Sequence, residues 1–222
     1  MKLAVFNGSP RAGGSNTKIL LDHFLRGFSE TQGDEYELFY LIREKDFTSC
    51  IEAFKKAEHV VLAFPLYGDS MPAPVKAFIE ALEPVCGREG NPPLGFIVQS
   101  GFPESGQSHY LRRYLEKLTR RLGCRYTGTV IKGGVEGIQA QPPWMTRKLF
   151  QSFYELGRIY GQTGEFDPEL VEKLGKPVWY SGPGLIVAGF FMKLFGHAYW
   201  NSMLKKNGAY EKRFARPYAP EK

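Results

Sequence analysis

Cysteine is scarce in this 222-residue chain: Cys50, Cys86 and Cys124 are an odd number at wide spacing. With no Cys-x-x-Cys pair, neither a disulfide framework nor a zinc or iron–sulfur site is indicated. A reducing compartment follows as the expectation, and with it a cytoplasmic location. Histidine is as sparse. His23, His59, His109 and His197 fall in different predicted elements without metal-ligand spacing, so no metal is predicted, and no Ser/His/Asp set is apparent. No uninterrupted apolar stretch approaches the roughly 18–20 residues that cross a bilayer. Met1-Lys2-Leu3-Ala4 leads directly into a strand pattern, without the features of a signal peptide. The first 175 residues also lack a charge excess, with 21 Lys+Arg against 21 Asp+Glu. The whole net charge of +6 lies in Lys176–Lys222, where eight basic residues face only Glu211 and Glu221. A basic tail on a neutral body is not a nucleic-acid-binding domain, which would carry its cations across a folded face.

What the chain does have is a small-residue loop, Phe6-Asn7-Gly8-Ser9-Pro10-Arg11-Ala12-Gly13-Gly14-Ser15-Asn16-Thr17. It stands between the apolar run Leu3–Phe6 and a helix opening near Asn16. Orphan N–H groups and the positive end of a helix dipole both face such a loop, which suits it to an anion. The hydroxyls of Ser9, Ser15 and Thr17 add donors. Two familiar phosphate loops are excluded by spacing. Gly8 and Gly13 have the glycine separation of G-x-x-x-x-G-K-[ST], but Gly14 stands where the lysine belongs. G-x-G-x-x-G fails because Ser9-Pro10 follows Gly8, and Pro10 also lacks an N–H. The loop suits a terminal monophosphate better than a bridging pyrophosphate.

Extended and helical patterns alternate over roughly the first 165 residues. Strands are predicted at Leu3–Phe6, Tyr36–Leu41, His59–Phe64, Leu94–Gln99 and Tyr126–Lys132. Helices are predicted at Thr17–Phe28, Phe47–Lys56, Pro74–Leu82, Gln107–Leu122 and Trp144–Gly161. This rhythm implies an α/β, three-layer sandwich with a five-stranded parallel sheet, and the flavodoxin-like order 2-1-3-4-5 is the favoured winding. The ligand crevice of that order lies at the carboxyl ends of strands 1 and 3. Three loops are thereby selected: Gly8–Asn16, Pro65–Pro72 and Ser100–Gly106. The second, Pro65-Leu66-Tyr67-Gly68-Asp69-Ser70-Met71-Pro72, has the composition to lie along a flat ring, and Ser100-Gly101-Phe102 repeats the recipe. A monophosphate site beside two ring-contacting loops is the layout for FMN.

Gly8-Ser9-Pro10-Arg11 with Gly14-Ser15-Asn16-Thr17, then Pro65-Leu66-Tyr67 with Pro74-Val75-Lys76-Ala77-Phe78-Ile79-Glu80, resembles the NAD(P)H-dependent FMN reductases of the flavodoxin-like superfamily. The likeness covers about residues 1–165. It implies a homodimeric flavoprotein with the FMN phosphate on the Ser9–Pro10–Arg11 turn, Ser15, Asn16 and Thr17. The ring would lie against Pro65, Leu66, Tyr67 and Gly68, near Ser100, Gly101 and Phe102. Gly133-Gly134-Val135-Glu136-Gly137 would complete the rim, a part that in such proteins usually comes from the dimer neighbour. One branch of the family carries an iron–sulfur cluster between the second and third strands; only Cys50 falls there, so FMN alone is expected. The implied reaction takes a hydride from NADH or NADPH and passes electrons to a small acceptor: a quinone, a nitro or azo compound, or free flavin. Backbone N–H groups around Tyr67–Asp69 would serve the flavin, and Tyr67 is the one candidate for a direct catalytic role. The rival reading is a flavodoxin-type electron carrier, against which the neutral body argues.

Two domains are expected, 1–165 binding FMN and 166–222 forming a helical, basic, aromatic-rich extension. Within the latter, Pro177–Gly184 reads as an irregular bridge and Leu185–Leu204 as an aromatic helix. Packing over a partner subunit or its flavin mouth is one expectation for this segment. Peripheral membrane contact through residues 185–216 is another.

Overall fold

The computed structural model describes residues 1–103, 106, 108–177, 182, 186, 189, 190, 193 and 196–216. The chain divides into two compact units, Met1–Val178 and Trp179–Lys222.

In the first unit, β1 (Lys2–Asn7), β2 (Glu35–Tyr40), β3 (His59–Pro65), β4 (Leu94–Gln99) and β5 (Tyr126–Lys132) form one sheet in the order β2-β1-β3-β4-β5. Every pairing is parallel, with Val5 opposite Val61 and Val61 opposite Gly95. The expected winding and the five strands are therefore found, with ends within a residue or so of prediction. β3 and β4 are buried almost throughout, as their continuous apolar runs require of strands covered on both faces. β2 is the exposed edge, and Glu35 and Glu37 keep it unattractive to a further strand.

One face of the sheet is covered by α2 (Phe47–Lys56), α3 (Ala73–Ala81) and α4 (Ser108–Arg121). Phe6, Leu62, Phe64 and Phe96 meet Cys50, Phe54, Val75, Phe78 and Leu115 there. The other face is covered by α1 (Asn16–Phe28), α5 (Pro143–Thr163) and α6 (Pro168–Gly175). Val5, Val61 and Ile97 pack under Leu20, Phe24, Phe28, Phe153, Leu156 and Tyr160. α1 and α5 cross at two glycines: a Cβ on Gly157 would lie 1.8 Å from the Phe24 carbonyl oxygen, and one on Gly27 would lie 1.9 Å from that of Tyr154. This backbone-to-backbone contact fixes the helix whose N-terminus forms the anion loop.

The sequence reading missed α6, and the first unit runs past 165 because of it. Asp167 caps the helix, accepting from the Leu170 N–H at 2.8 Å, and Pro168 opens it. Leu174 and Phe166 are buried in the same core as α1 and α5, within the compact unit Met1–Val178. Phe166 fills the space left by Gly95 and Gly128, where β4 and β5 shift register.

In the second unit, α7 (His197–Lys206) is followed by a short turn of 3-10 helix at Tyr210–Lys212. The expected helix Leu185–Leu204 is seen in its C-terminal part, which runs two residues further. Most of Leu185–Gly196 and of the Pro177–Gly184 bridge lies outside the described residues. Among the described residues, no helix is long and apolar enough to cross a membrane.

Candidate functional site

The carboxyl ends of β1, β3 and β4 open onto a crevice of about 250 Å³ lined by Arg11, Asn16, Pro65, Leu66, Tyr67, Gln99, Ser100, Gly101 and Glu136. All three loops selected from topology thus reach one place. Parallel strands end together, so residues distant in sequence converge there.

The anion loop is built on Asn7, the last residue of β1. Its Oδ1 accepts the Ser9 N–H at 2.9 Å, and its own backbone carbonyl takes the Leu41 N–H at 3.0 Å. Gly8 is required by close packing, because a Cβ there would lie 2.1 Å from Val75 Cγ2. Ser9 Oγ accepts the Arg11 N–H, and Ala12 then turns through φ 47°. Ser15 caps α1, accepting the Lys18 N–H at 3.1 Å and donating to the Ala12 carbonyl at 2.6 Å. The N–H groups of Asn16 and Thr17 have no protein acceptor among the described residues, although both residues are buried. Two buried donors at the positive end of a helix, beside the guanidinium of Arg11, are what a phosphate needs.

Several of the side chains expected at the phosphate have partners within the protein. Thr17 Oγ1 is occupied as an acceptor, taking the Gln99 Nε2 hydrogen at 3.2 Å. Asn16 Nδ2 donates to the Val135 carbonyl at 2.8 Å, and its Oδ1 accepts from Gln139 Nε2 at 3.1 Å. Ser9, Ser15 and Thr17 are buried beneath the crevice and do not line it; Pro10 is exposed. The side chains thus brace the loop, and Ser9 Oγ and Thr17 Oγ1, acceptors in these bonds, each keep a hydroxyl hydrogen to donate.

The second loop is a tight hairpin. Tyr67 and Ser70 exchange N–H···O bonds of 2.9 and 3.1 Å around Gly68 and Asp69, which have φ of 54° and 61°. Two successive positive φ values are those of a type I′ turn. Among the described residues, Asp69 and Ala12 are the non-glycine residues with positive φ, and both lie in loops of this crevice. Strained backbone of this kind concentrates at ligand sites. The Tyr67 N–H is used within the hairpin, so Gly68 and Asp69 supply the free donors there. Tyr67 lines the crevice with about half of its surface exposed; Gly68 and Phe102 lie outside the lining.

The third loop ties into the rim. Leu66 donates its N–H to the Gln99 carbonyl, Ser100 to that of Lys132, and Val135 to that of Ser100, at 2.7, 3.0 and 3.1 Å. Glu136 enters the crevice beside Gly101. Glu136 belongs to the segment expected at the rim, whereas Gln99 and the Gln139 brace were not among the predicted site residues. The signal for Gln99 was present: a lone amide closing the apolar run Leu94–Val98. Gln99 pairs in register with Lys132, whose ammonium burial holds below the ordinary lysine range.

The family model for NADPH-dependent FMN reductase matches residues 1–112. Among solved structures, an NAD(P)H:quinone oxidoreductase from Methanothermobacter marburgensis is similar at 16% identity and a TM-score of 0.60, over 71% of this chain and 96% of its own. The Trp repressor binding protein from Bacillus subtilis is similar at 21% identity and a TM-score of 0.54, over 69% of this chain and 99% of its own. An FMN-dependent NADH-azoreductase from Bacillus anthracis, solved with FMN, gives 16% identity and a TM-score of 0.54, over 72% and 97%. No curated protein sequence matches the chain. The solved structures share the fold; the family model, spanning half the sequence and both loops at the ends of β1 and β3, goes further. This protein belongs to the NADPH-dependent FMN reductase family, and is accordingly an oxidoreductase that uses FMN with NAD(P)H as co-substrate.

Proposed function

We propose that the crevice binds FMN and that the enzyme passes two electrons from NADH or NADPH to a small planar acceptor, such as a quinone, a nitro or azo compound, or a second flavin. The observation that carries this reading is the pair of N–H groups on buried Asn16, which lines the crevice with Arg11, and on Thr17, the next residue of α1, neither with a protein acceptor among the described residues. They bind a dianionic phosphate by charge and geometry without a lysine. Pro65, Leu66 and Tyr67 supply a stiff, largely apolar wall for the ring. Gly68 and Asp69 offer backbone donors where negative charge develops, on a hairpin closed by the Tyr67–Ser70 hydrogen bonds. Glu136 accepts hydroxyl donors from the sugar-like chain between phosphate and ring. Bound there, FMN supplies the redox chemistry.

Tyr67 covers the ring in this reading, and its hydroxyl is the residual candidate for proton delivery. Anaerobic stopped-flow mixing of the FMN-loaded protein with NADH or NADPH tests the reading. Loss of the flavin absorption band within seconds, then its recovery on adding a quinone, is the expected course. A flavin left oxidised by both nicotinamides makes the protein an electron carrier instead.

A further inference from the structure

We propose that the C-terminal unit is a docking element for an anionic lipid surface. In α7, Tyr199, Trp200 and Met203 fall within roughly 100° of arc at 100° per residue. All three are exposed, Trp200 by 61%, and Phe214 beyond the helix by 82%. Lys205, Lys206, Lys212, Arg213 and Arg216 stand among them against Glu211 alone.

These cations are arranged against rings. Arg213 Cζ lies 3.9 Å from the Tyr210 ring centre and 4.9 Å from that of Phe214, and Lys205 Nζ lies 5.0 Å from Tyr210. Among the described residues of this unit, no ion pair neutralises any of them. On the same spacing Lys206 falls next to Tyr199 and Lys205 on the opposite side of α7, so unneutralised cations and a Trp/Tyr/Met arc share one short helix, the chemistry of the headgroup boundary. The rings and thioether enter the apolar edge and the cations meet phosphates.

Two other occupants fit less well. A second copy of the unit would set like-charged patches against each other. A nucleic acid would leave the Trp200–Met203 arc without an apolar partner. As described, α7 has ten residues, fewer than a bilayer crossing needs, which suits it to lie along a surface. The segregation of the whole net charge into residues 176–222 has the same origin: a neutral body carries the reaction, and a basic element places it. This proposal is independent of which acceptor the crevice serves.

The test is co-sedimentation of the full FMN-loaded chain with phosphatidylcholine vesicles, with and without about one-third phosphatidylserine, at low and high salt. Binding is expected only with phosphatidylserine and is expected to weaken with salt. Each basic residue contributes about fivefold to partition at such a surface, so the double variant Lys205→Glu, Lys206→Glu is expected to bind at least about 20-fold more weakly. Trp200→Ser is expected to weaken binding while leaving its salt dependence. Flavin absorption and NAD(P)H oxidation in solution should be unchanged in both variants, which shows that the first unit remains folded. The proposal is overturned by equal binding to uncharged vesicles or by no binding at all. It is also overturned if the same variants abolish self-association, or binding of a single-stranded oligonucleotide, with vesicle binding unaffected.

Discussion

The crossing of α1 and α5 yields the sharpest quantitative expectation. Replacing Gly157 by Ala adds one methyl in the middle of a helix, where propensity alone favours the change by about 1 kcal/mol. The structure opposes it: the new Cβ would sit 1.8 Å from the Phe24 carbonyl oxygen and 2.7 Å from its carbon, against an ordinary contact of at least 3.4 Å. The obstacle is backbone in a packed helix, so no rotamer relieves it and the helices must separate. Leu20, Phe24, Phe153, Leu156 and Tyr160 then lose packing together. Overpacking of this kind costs about 1–3 kcal/mol, and an immovable neighbour places this case at the upper end. The net expectation is destabilisation of about 2 kcal/mol, or a fall in melting temperature of about 4–8 °C for a chain of this size. FMN affinity should fall as well, because α1 carries the Asn16 and Thr17 donors at its N-terminus. Thermal and urea unfolding of purified wild-type and Gly157→Ala protein, with a flavin fluorescence titration of each, are the measurements. A Gly157→Ala protein as stable as wild type, or stabilised by the propensity gain, would refute the reasoning.

Thr17→Val removes the acceptor of Gln99 Nε2 and leaves a buried amide unpaired, so a loss of about 1–3 kcal/mol is expected in urea unfolding, together with weaker FMN binding. His59 and His23 both have pKa values lowered from the ordinary 6.5, chiefly by burial, with Arg125 and Arg26 adding to it respectively. The unfolded chain therefore takes up protons first, and the stability these residues contribute is complete above about pH 6.5 and lost as pH falls below it. Melting temperatures from pH 8 to 5 should show that decline, and His59→Asn should flatten it. Burial pushes the Cys124 thiol up to about 12 and raises that of Cys50, whereas Cys86 is exposed; in the native protein a thiol reagent should label Cys86 first and the other two only on unfolding. A homodimer of twice the 25.1 kDa chain mass is expected by light scattering, with exposed Tyr110, Tyr114, Trp144 and Met145 as candidate contacts. A monomer at micromolar concentration would refute that expectation.

The parallel sheet was legible because β3 and β4 are continuous apolar runs, which only a doubly covered strand tolerates. Its winding then located the crevice, since handedness and strand ends leave few positions for three Gly/Pro loops to meet. The division of labour within the loop was not legible. Ser15 and Thr17 look like phosphate donors in a one-dimensional string, yet their partners, Lys18 on one side and Gln99 some eighty positions away on the other, exist only after folding. The same holds for Asn16, whose amide bonds Val135 across the crevice. α6 was missed although Asp167-Pro168-Glu169 is a helix-start signature. Eight residues carry too short a periodicity to read without Phe166 and Leu174 already in the core.

The bracing of the crevice has a practical corollary. The side chains of Asn7, Ser15, Asn16, Thr17, Gln99 and Gln139 all bond within the polypeptide, Gln99 to Thr17, Gln139 to Asn16 and the others to backbone groups of the neighbouring loops. A receptacle assembled in that way does not need its guest as a template. The protein should survive stripping of its flavin, and the emptied scaffold should accept analogues altered at the ring, which makes it a host for redox centres of chosen potential.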